Sequence, residues 1–170
     1  IVILLRTKAG WDEEFKQILE EEGIPVHVSS KTGYFAATEI QELLHFLRVL
    51  DNPLQDIPFY GVLHSYFGGF SEEEIASVKA AYPQKRYLYD AVKEYAVALR
   101  EVKEVCQEPL QQRLQAFLNH IERYREIAVY MPVHELLQTI IREYDYLSFM
   151  AAKPGGSRRR ANVEMLLIKA

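Results

Sequence analysis

From Ala37 onward, apolar residues recur three and four positions apart, and that spacing restricts the chain to helices that each bury one face. Ile40, Leu43, Leu44, Leu47 and Leu50 set the pattern, and Asp51-Asn52-Pro53 ends it with a polar break. A short helix is expected around residues 56–63, followed by Phe67-Gly68-Gly69-Phe70, whose two glycines permit a tight turn. Ser71 and Glu74 have capping-box spacing for the next helix, with Ile75, Val78 and Ala81 as its inner stripe. Further helices are predicted over 87–103, from Pro109 onward with Leu110, Leu114, Phe117, Leu118 and Ile121 inward, after Pro132 with Leu136, Leu137, Ile140 and Ile141 inward, and over 144–152. Lys153-Pro154-Gly155-Gly156-Ser157 reads as a loop, and 158–170 returns to helix.

The first thirty residues carry a different pattern. Residues 1–5 form a continuous apolar, β-branched run of the kind buried on both faces of a parallel sheet. Trp11, Phe15, Ile18 and Leu19 share one helical face, Gly23 is a helix stop, and Ile24-Pro25-Val26-His27-Val28 reads as a second strand. The expected fold class is therefore an α/β fragment followed by mostly α structure. A strand-helix-strand unit of an incomplete parallel sheet occupies 1–30, and a multi-helix domain occupies 31–170. Two strands do not make a stable sheet, and the chain opens on Ile1 and closes within the run Val163, Leu166, Leu167. A piece of a longer protein is the expectation.

Composition narrows the function classes. A formal net charge of -4 over 170 residues argues against a protein that coats nucleic acid through a general basic surface, so any such contact must be local. The single cysteine, Cys106, cannot pair internally, which fits a reducing, cytoplasmic setting. No run reaches the roughly 18 consecutive apolar residues of a membrane span, and the basic-then-apolar order of a signal peptide is missing, so no membrane partner is expected. No GxxxxGK[ST] loop is present to cradle phosphates, and this chain alone is not expected to hydrolyse ATP or to hold a cofactor. His27, His45, His64, His120 and His134 show no metal-ligand spacing. Glu72, Glu73 and Glu74 suit the first turn of a helix, where the dipole favours negative charge, and Glu20 to Glu22 read as a solvated face.

Two features can carry nucleic-acid chemistry. Aromatic side chains hold unpaired bases by stacking. Most aromatics here sit at helical spacing among leucines and read as core, whereas Tyr34 and Phe35 stand beside Lys31 and Thr32 where a helix begins. The one dense basic cluster, Lys153 with Arg158, Arg159 and Arg160, flanks the Pro-Gly-Gly loop. It suits either phosphate contact or a solvated helix face paired with acids, and both readings stay open.

Leu4-Leu5-Arg6-Thr7, then Gly23-Ile24-Pro25, then Gly33-Tyr34-Phe35-Ala36-Ala37-Thr38-Glu39-Ile40 resemble in order the second motor half of superfamily 1 DNA helicases of the UvrD and Rep kind. The run Val49-Leu50-Asp51-Asn52-Pro53-Leu54-Gln55-Asp56-Ile57-Pro58, with Phe67-Gly68-Gly69-Phe70-Ser71, is similar to the AddA-type helicase-nuclease branch. The resemblance covers essentially the whole chain. It implies that 1–30 belong to motor domain 2A and 31–170 to the helical insertion 2B. It further implies a non-catalytic DNA-contacting and force-coupling part of an ATP-dependent helicase-nuclease in double-strand break repair. ATP and Mg2+ would bind elsewhere in the parent protein, and the partners would be DNA at a single-strand/duplex junction and the second, B-type chain of a helicase-nuclease heterodimer. The nucleic-acid contacts it implies, together with those read from the residues, are Arg6, Lys31, Thr32, Tyr34, Gly69, Ser71, Arg158, Arg159 and Arg160. Ser71 replaces the second glycine of the relatives' Gly-Ile-Gly turn. The alternative is a helical interaction module with little DNA affinity that packs against the other chain of such a heterodimer.

Overall fold

The computed structural model describes residues 3, 11–26, 34–98 and 109–170. Among them are nine α-helices: α1 (Trp11–Glu21), α2 (Thr38–Asp51), α3 (Asp56–His64), α4 (Glu72–Ala81), α5 (Leu88–Val97), α6 (Pro109–Ala128), α7 (Val133–Glu143), α8 (Tyr146–Ala152) and α9 (Gly156–Lys169). A single 3-10 turn, Tyr34–Ala36, leads into α2.

The expected strand-helix-strand unit is corrected: the described residues contain no strand or sheet. The helix between the two expected strands is present as α1, but residues 24–26 are irregular. The reason lies in how α1 ends. Gly23, at φ +75°, sends its N–H to the Glu20 carbonyl at 3.0 Å, and the Ile24 N–H reaches the Leu19 carbonyl at 2.9 Å. This left-handed cap closes the last turn with an N–H that a sheet ladder would have needed. Ile3 is irregular and exposed. The remainder of residues 1–5, with His27 and Val28, lies outside the described residues, as does Cys106.

Over the described residues the helical pattern from Ala37 is realised with small shifts, and the end of the helix expected over 87–103 lies outside them. α2 is the central element, burying Ile40, Leu43, Phe46, Val49 and Leu50 and packing against α3, α6 and α9. Around it, α5 packs on α4 and α6, and α8 packs on α7 and α9. Ile75 and Val78 are buried as expected, whereas Ala81 is exposed. The expected 153–157 loop is shorter than its glycines suggest, because α9 already begins at Gly156.

Aromatic rings fill the centre. Phe46 lies with its ring centroid 4.8 Å from Phe67 and 5.6 Å from Tyr124, the second pair edge-on. Phe67 stacks on Tyr146 at 5.0 Å. The Tyr124 hydroxyl donates to Glu143 at 2.6 Å, and both terminal nitrogens of Arg123 reach the same carboxylate at 2.9 and 3.1 Å. Those hydrogen bonds, from Tyr124 first and Arg123 second, hold the Glu143 carboxyl below its usual range. By contrast no described side chain of α1 belongs to the core, and Trp11, Phe15 and Ile18 are exposed.

Phe46→Ala is expected to lower unfolding free energy by about 3–5 kcal/mol through the cavity it leaves. Ile18→Ala on α1 should change it by less than about 0.5 kcal/mol. Urea denaturation of both variants checks the contrast, and equal losses would contradict this division of the chain.

Candidate nucleic-acid interface

The first cluster is built where the helical region begins and ends. Glu39, in the first turn of α2, is 2% exposed. Its carboxylate accepts from Arg159 Nη1 at 2.9 Å and from Asn162 Nδ2 at 2.6 Å, both on α9. A carboxylate removed from water needs such a charge partner and hydrogen bonds, and its place in a first turn adds a favourable dipole. Arg159 also donates Nε–H to the Pro154 carbonyl at 3.1 Å. The Tyr34 hydroxyl donates to the Asn162 carbonyl at 2.7 Å, and Lys169 Nζ sits 4.8 Å over the Tyr34 ring. Burial, with Glu39 second, raises the Tyr34 hydroxyl above its ordinary pKa. The Tyr146 hydroxyl lies 3.0 Å from the Glu39 carbonyl and 2.9 Å from the Glu42 carboxylate, which between them accept its one proton. Burial foremost, then Glu42, pushes that hydroxyl far upward.

Gly155, at φ +68°, and Gly156 bring α9 close to α8, since a Cβ at Gly156 would collide with the Ala151 carbonyl. Beside this tight junction the three arginines have different fates. Arg159 is held by Glu39, and Arg160 pairs with Glu164 at 2.8 Å on the same helix. Arg158 is exposed and has no carboxylate partner among the described residues.

The second cluster is the turn between α3 and α4. Gly69, at φ +66°, donates its N–H to Ser65 O at 2.8 Å, and Phe70 N–H donates to Leu63 O at 3.0 Å. The chain passes so close at Gly68 that a Cβ there would collide with the Leu63 backbone. Ser71 caps α4: its hydroxyl accepts from Glu74 N at 3.2 Å, and Glu74 Oε2 accepts from Ser71 N at 2.9 Å. Arg113 of α6 completes the turn, reaching Gly69 O and Glu74 Oε1 at 2.7 Å each and lying 4.8 Å over the Phe70 ring. The Ser71 N–H first, with smaller help from Arg113, keeps the Glu74 carboxyl below its usual range.

The structure therefore sorts the expected contact residues. Tyr34 and Arg159 meet at Asn162 and Glu39, Gly69 and Ser71 share the second turn, and Arg158 alone of the three arginines is free of ion pairs among the described residues. Arg6, Lys31 and Thr32 lie outside the described residues. The sequence pattern gives no role to Arg113, Asn162 or Glu39, although a lone Glu in a helix first turn is a signal for the last. It also misses Tyr66, whose ring stacks on Phe149 with Lys153 beyond it. Among the described residues there is no group of three or more His, Cys, Asp or Glu placed to hold a metal ion, and no helix is long and apolar enough to cross a membrane.

These features sit in a recognisable sequence context. The chain belongs to the UvrD-like helicase C-terminal domain family, whose signature matches residues 1–162. Over its whole length it is similar to AddA proteins, the A-type chains of ATP-dependent helicase/nucleases. The one from Clostridium kluyveri is 36% identical over 172 residues, covering 100% of this chain and 14% of that protein. The one from Acetivibrio thermocellus is 37% identical over 170 residues, covering 100% and 13%. The one from Lachnoclostridium phytofermentans is 32% identical over 204 residues, covering 98% and 15%. The chain thus spans 13–15% of the length of these relatives.

Two outcomes follow from the clusters. Glu39→Ala should cost about 2–3 kcal/mol by leaving Arg159 and Asn162 without their acceptor. The Glu39→Ala/Arg159→Ala double variant should lose less than the sum of the singles, a coupling read from urea unfolding of all four proteins. For the cap, the folded Glu74 carboxyl is depressed, so its contribution is complete above the usual value of 4.5 and disappears as pH falls through its folded value. Tm measured from pH 7 to pH 3 should therefore decline more steeply below about pH 4.5 in the parent chain than in Glu74→Gln.

Proposed function

We propose that this chain is a non-catalytic, DNA-contacting and coupling part of an ATP-dependent helicase-nuclease that acts in double-strand break repair and recombination. The carrying observation is local charge: in a chain of net charge -4, Lys153 and Arg158 flank one loop without a carboxylate partner among the described residues. Family membership supports the class of ligand. In this reading residues 1–30 belong to a motor domain and 31–170 to a helical insertion. ATP and Mg2+ bind in parts of the parent protein beyond this chain, and its protein partner is the B-type chain of the helicase-nuclease heterodimer, all in the cytoplasm. Arg158 supplies the phosphate contact, with Gly69 and Ser71 on the neighbouring turn and Tyr34, Arg159 and Arg160 around the junction. Arg6, Lys31 and Thr32, outside the described residues, complete the proposed set of contacts.

A second reading, packing against that partner protein, is favoured by the α6–α7 connection, where Val129, Tyr130 and Val133 project outward and Tyr130 is 89% exposed.

The deciding measurement is fluorescence anisotropy of the 170-residue chain with a hairpin carrying a single-stranded tail, between about 50 and 200 mM salt. Binding should weaken as salt rises. Arg158→Ala should reduce the slope of log K against log salt by about one while leaving the melting curve unchanged. No binding at low salt would overturn the DNA reading in favour of the packing one.

A further inference from the structure

We infer that Tyr66 is a stacking platform for an unpaired nucleobase, an inference that rests on the DNA-contacting reading. Tyr66 leaves the turn after α3, and its ring lies on the Phe149 ring of α8 with centroids 3.7 Å apart and planes within 15°. No water fits between rings so close. The 39% exposure of Tyr66 therefore belongs to the parts of the residue that Phe149 does not cover. Its hydroxyl makes no hydrogen bond to any described residue.

The pair is rigid because it is backed on several sides. Tyr146 and Phe67 flank Tyr66 at 6.2 and 6.4 Å, and those two stack on each other in the core. On Phe149, Lys153 Nζ lies 4.4 Å from the ring centroid. A pre-ordered aromatic face loses little conformational freedom when a base settles on it, and stacking accepts any base because each has a π face. Lys153, on the loop that also bears Arg158, lies over Phe149 rather than Tyr66 and backs the stacked pair with a cation. The Ser65–Ser71 turn carries Tyr66 together with Gly69 and Ser71, so a base on the platform is continuous with the proposed contacts there. The chemistry selects an unpaired base, since bases within a duplex already stack on their neighbours on both sides.

The test uses the 170-residue chain and the tailed hairpin carrying 2-aminopurine at successive tail positions, beside a blunt hairpin with no tail. Tyr66→Ala should weaken binding of the tailed hairpin about tenfold, leave the salt slope unchanged and leave blunt-hairpin affinity within about twofold. Fluorescence quenching at one tail position, present in the parent chain, should vanish. Tyr66→Phe should behave as the parent. Tyr66→Leu, which still covers Phe149 but offers no π face, should behave as Tyr66→Ala and serves if the alanine variant melts early. Parent-like affinity and quenching in Tyr66→Leu would overturn the inference while leaving the DNA-contacting reading intact. Equal losses on tailed and blunt hairpins would also overturn it, by showing a general structural effect. Failure of the parent chain to bind either hairpin would overturn both.

Discussion

The buried Glu39 carboxylate is the interaction on which the ends of the helical region depend. A charge that is 2% exposed persists only if its surroundings replace water. The groups that do so, Arg159 and Asn162, come from 120 and 123 positions further along the chain. The place where α2 begins is thus fastened to α9, the last helix. Tyr34 and Tyr146 add hydrogen bonds to the same junction from the 3-10 turn and from α8. Four elements share one polar knot, so disturbing any member strands the others without partners in a dry environment. Fixing Arg159 inward also has a consequence at the surface: neighbouring side chains along α9 point elsewhere, and Arg158 is the one left exposed and without an ion pair among the described residues.

The turn before α4 obeys the same economy of partners on a smaller scale. Its backbone is bent by Gly68 and Gly69, and its carbonyl at Gly69 would be left to solvent without Arg113. Arg113 also pairs with Glu74, the residue that closes the capping box, so one guanidinium joins α6 to both sides of the turn. The replacement of a second glycine by Ser71 finds its reason here. Ser71 occupies the N-cap of α4, at φ -74°, a backbone conformation in which a serine is unstrained and its hydroxyl can accept the Glu74 N–H.

How far the sequence could be read depended on whether a feature is local. The stripe from Ile40 to Leu50, the Ser71/Glu74 box and the Pro109 and Pro132 helix starts depend on residues within a few positions, and the structure places them as expected. Within the strand expected at 24–28, the described residues 24–26 form none, because apolar, β-branched composition is compatible with a strand but does not supply pairing, and the N–H of Ile24 closes α1 instead. Gly156 reads as loop, although close packing against Ala151 requires a residue without a side chain inside a helix start. In the candidate site the density of Lys153, Arg158, Arg159 and Arg160 was visible, and the Arg160–Glu164 pair follows from i,i+4 spacing. The division of labour among the arginines was not, because Glu39 meets Arg159 only after the whole helical region has folded. The Tyr66–Phe149 stack has the same long-range origin.

Charge placement decides how an acidic chain could hold a polyanion. The turn carrying Gly69 and Ser71 is followed at once by Glu72, Glu73 and Glu74, and among the described residues only Glu74 is offset by an ion pair, with Arg113. Phosphates approaching from the α4 side meet exposed carboxylates. Those approaching from the 153–158 loop meet Lys153 and Arg158, with the Glu20 carboxylate beside Gly155. At physiological ionic strength such fields decay over about 8 Å, so the net charge of the chain matters less than which of these two edges lies nearest. Tyr66 stands between them, on the turn by sequence and against α8 by its ring contact. Stacking does not weaken with added salt as ion pairing does, so an exposed aromatic ring offers this chain an attachment that its overall charge does not oppose.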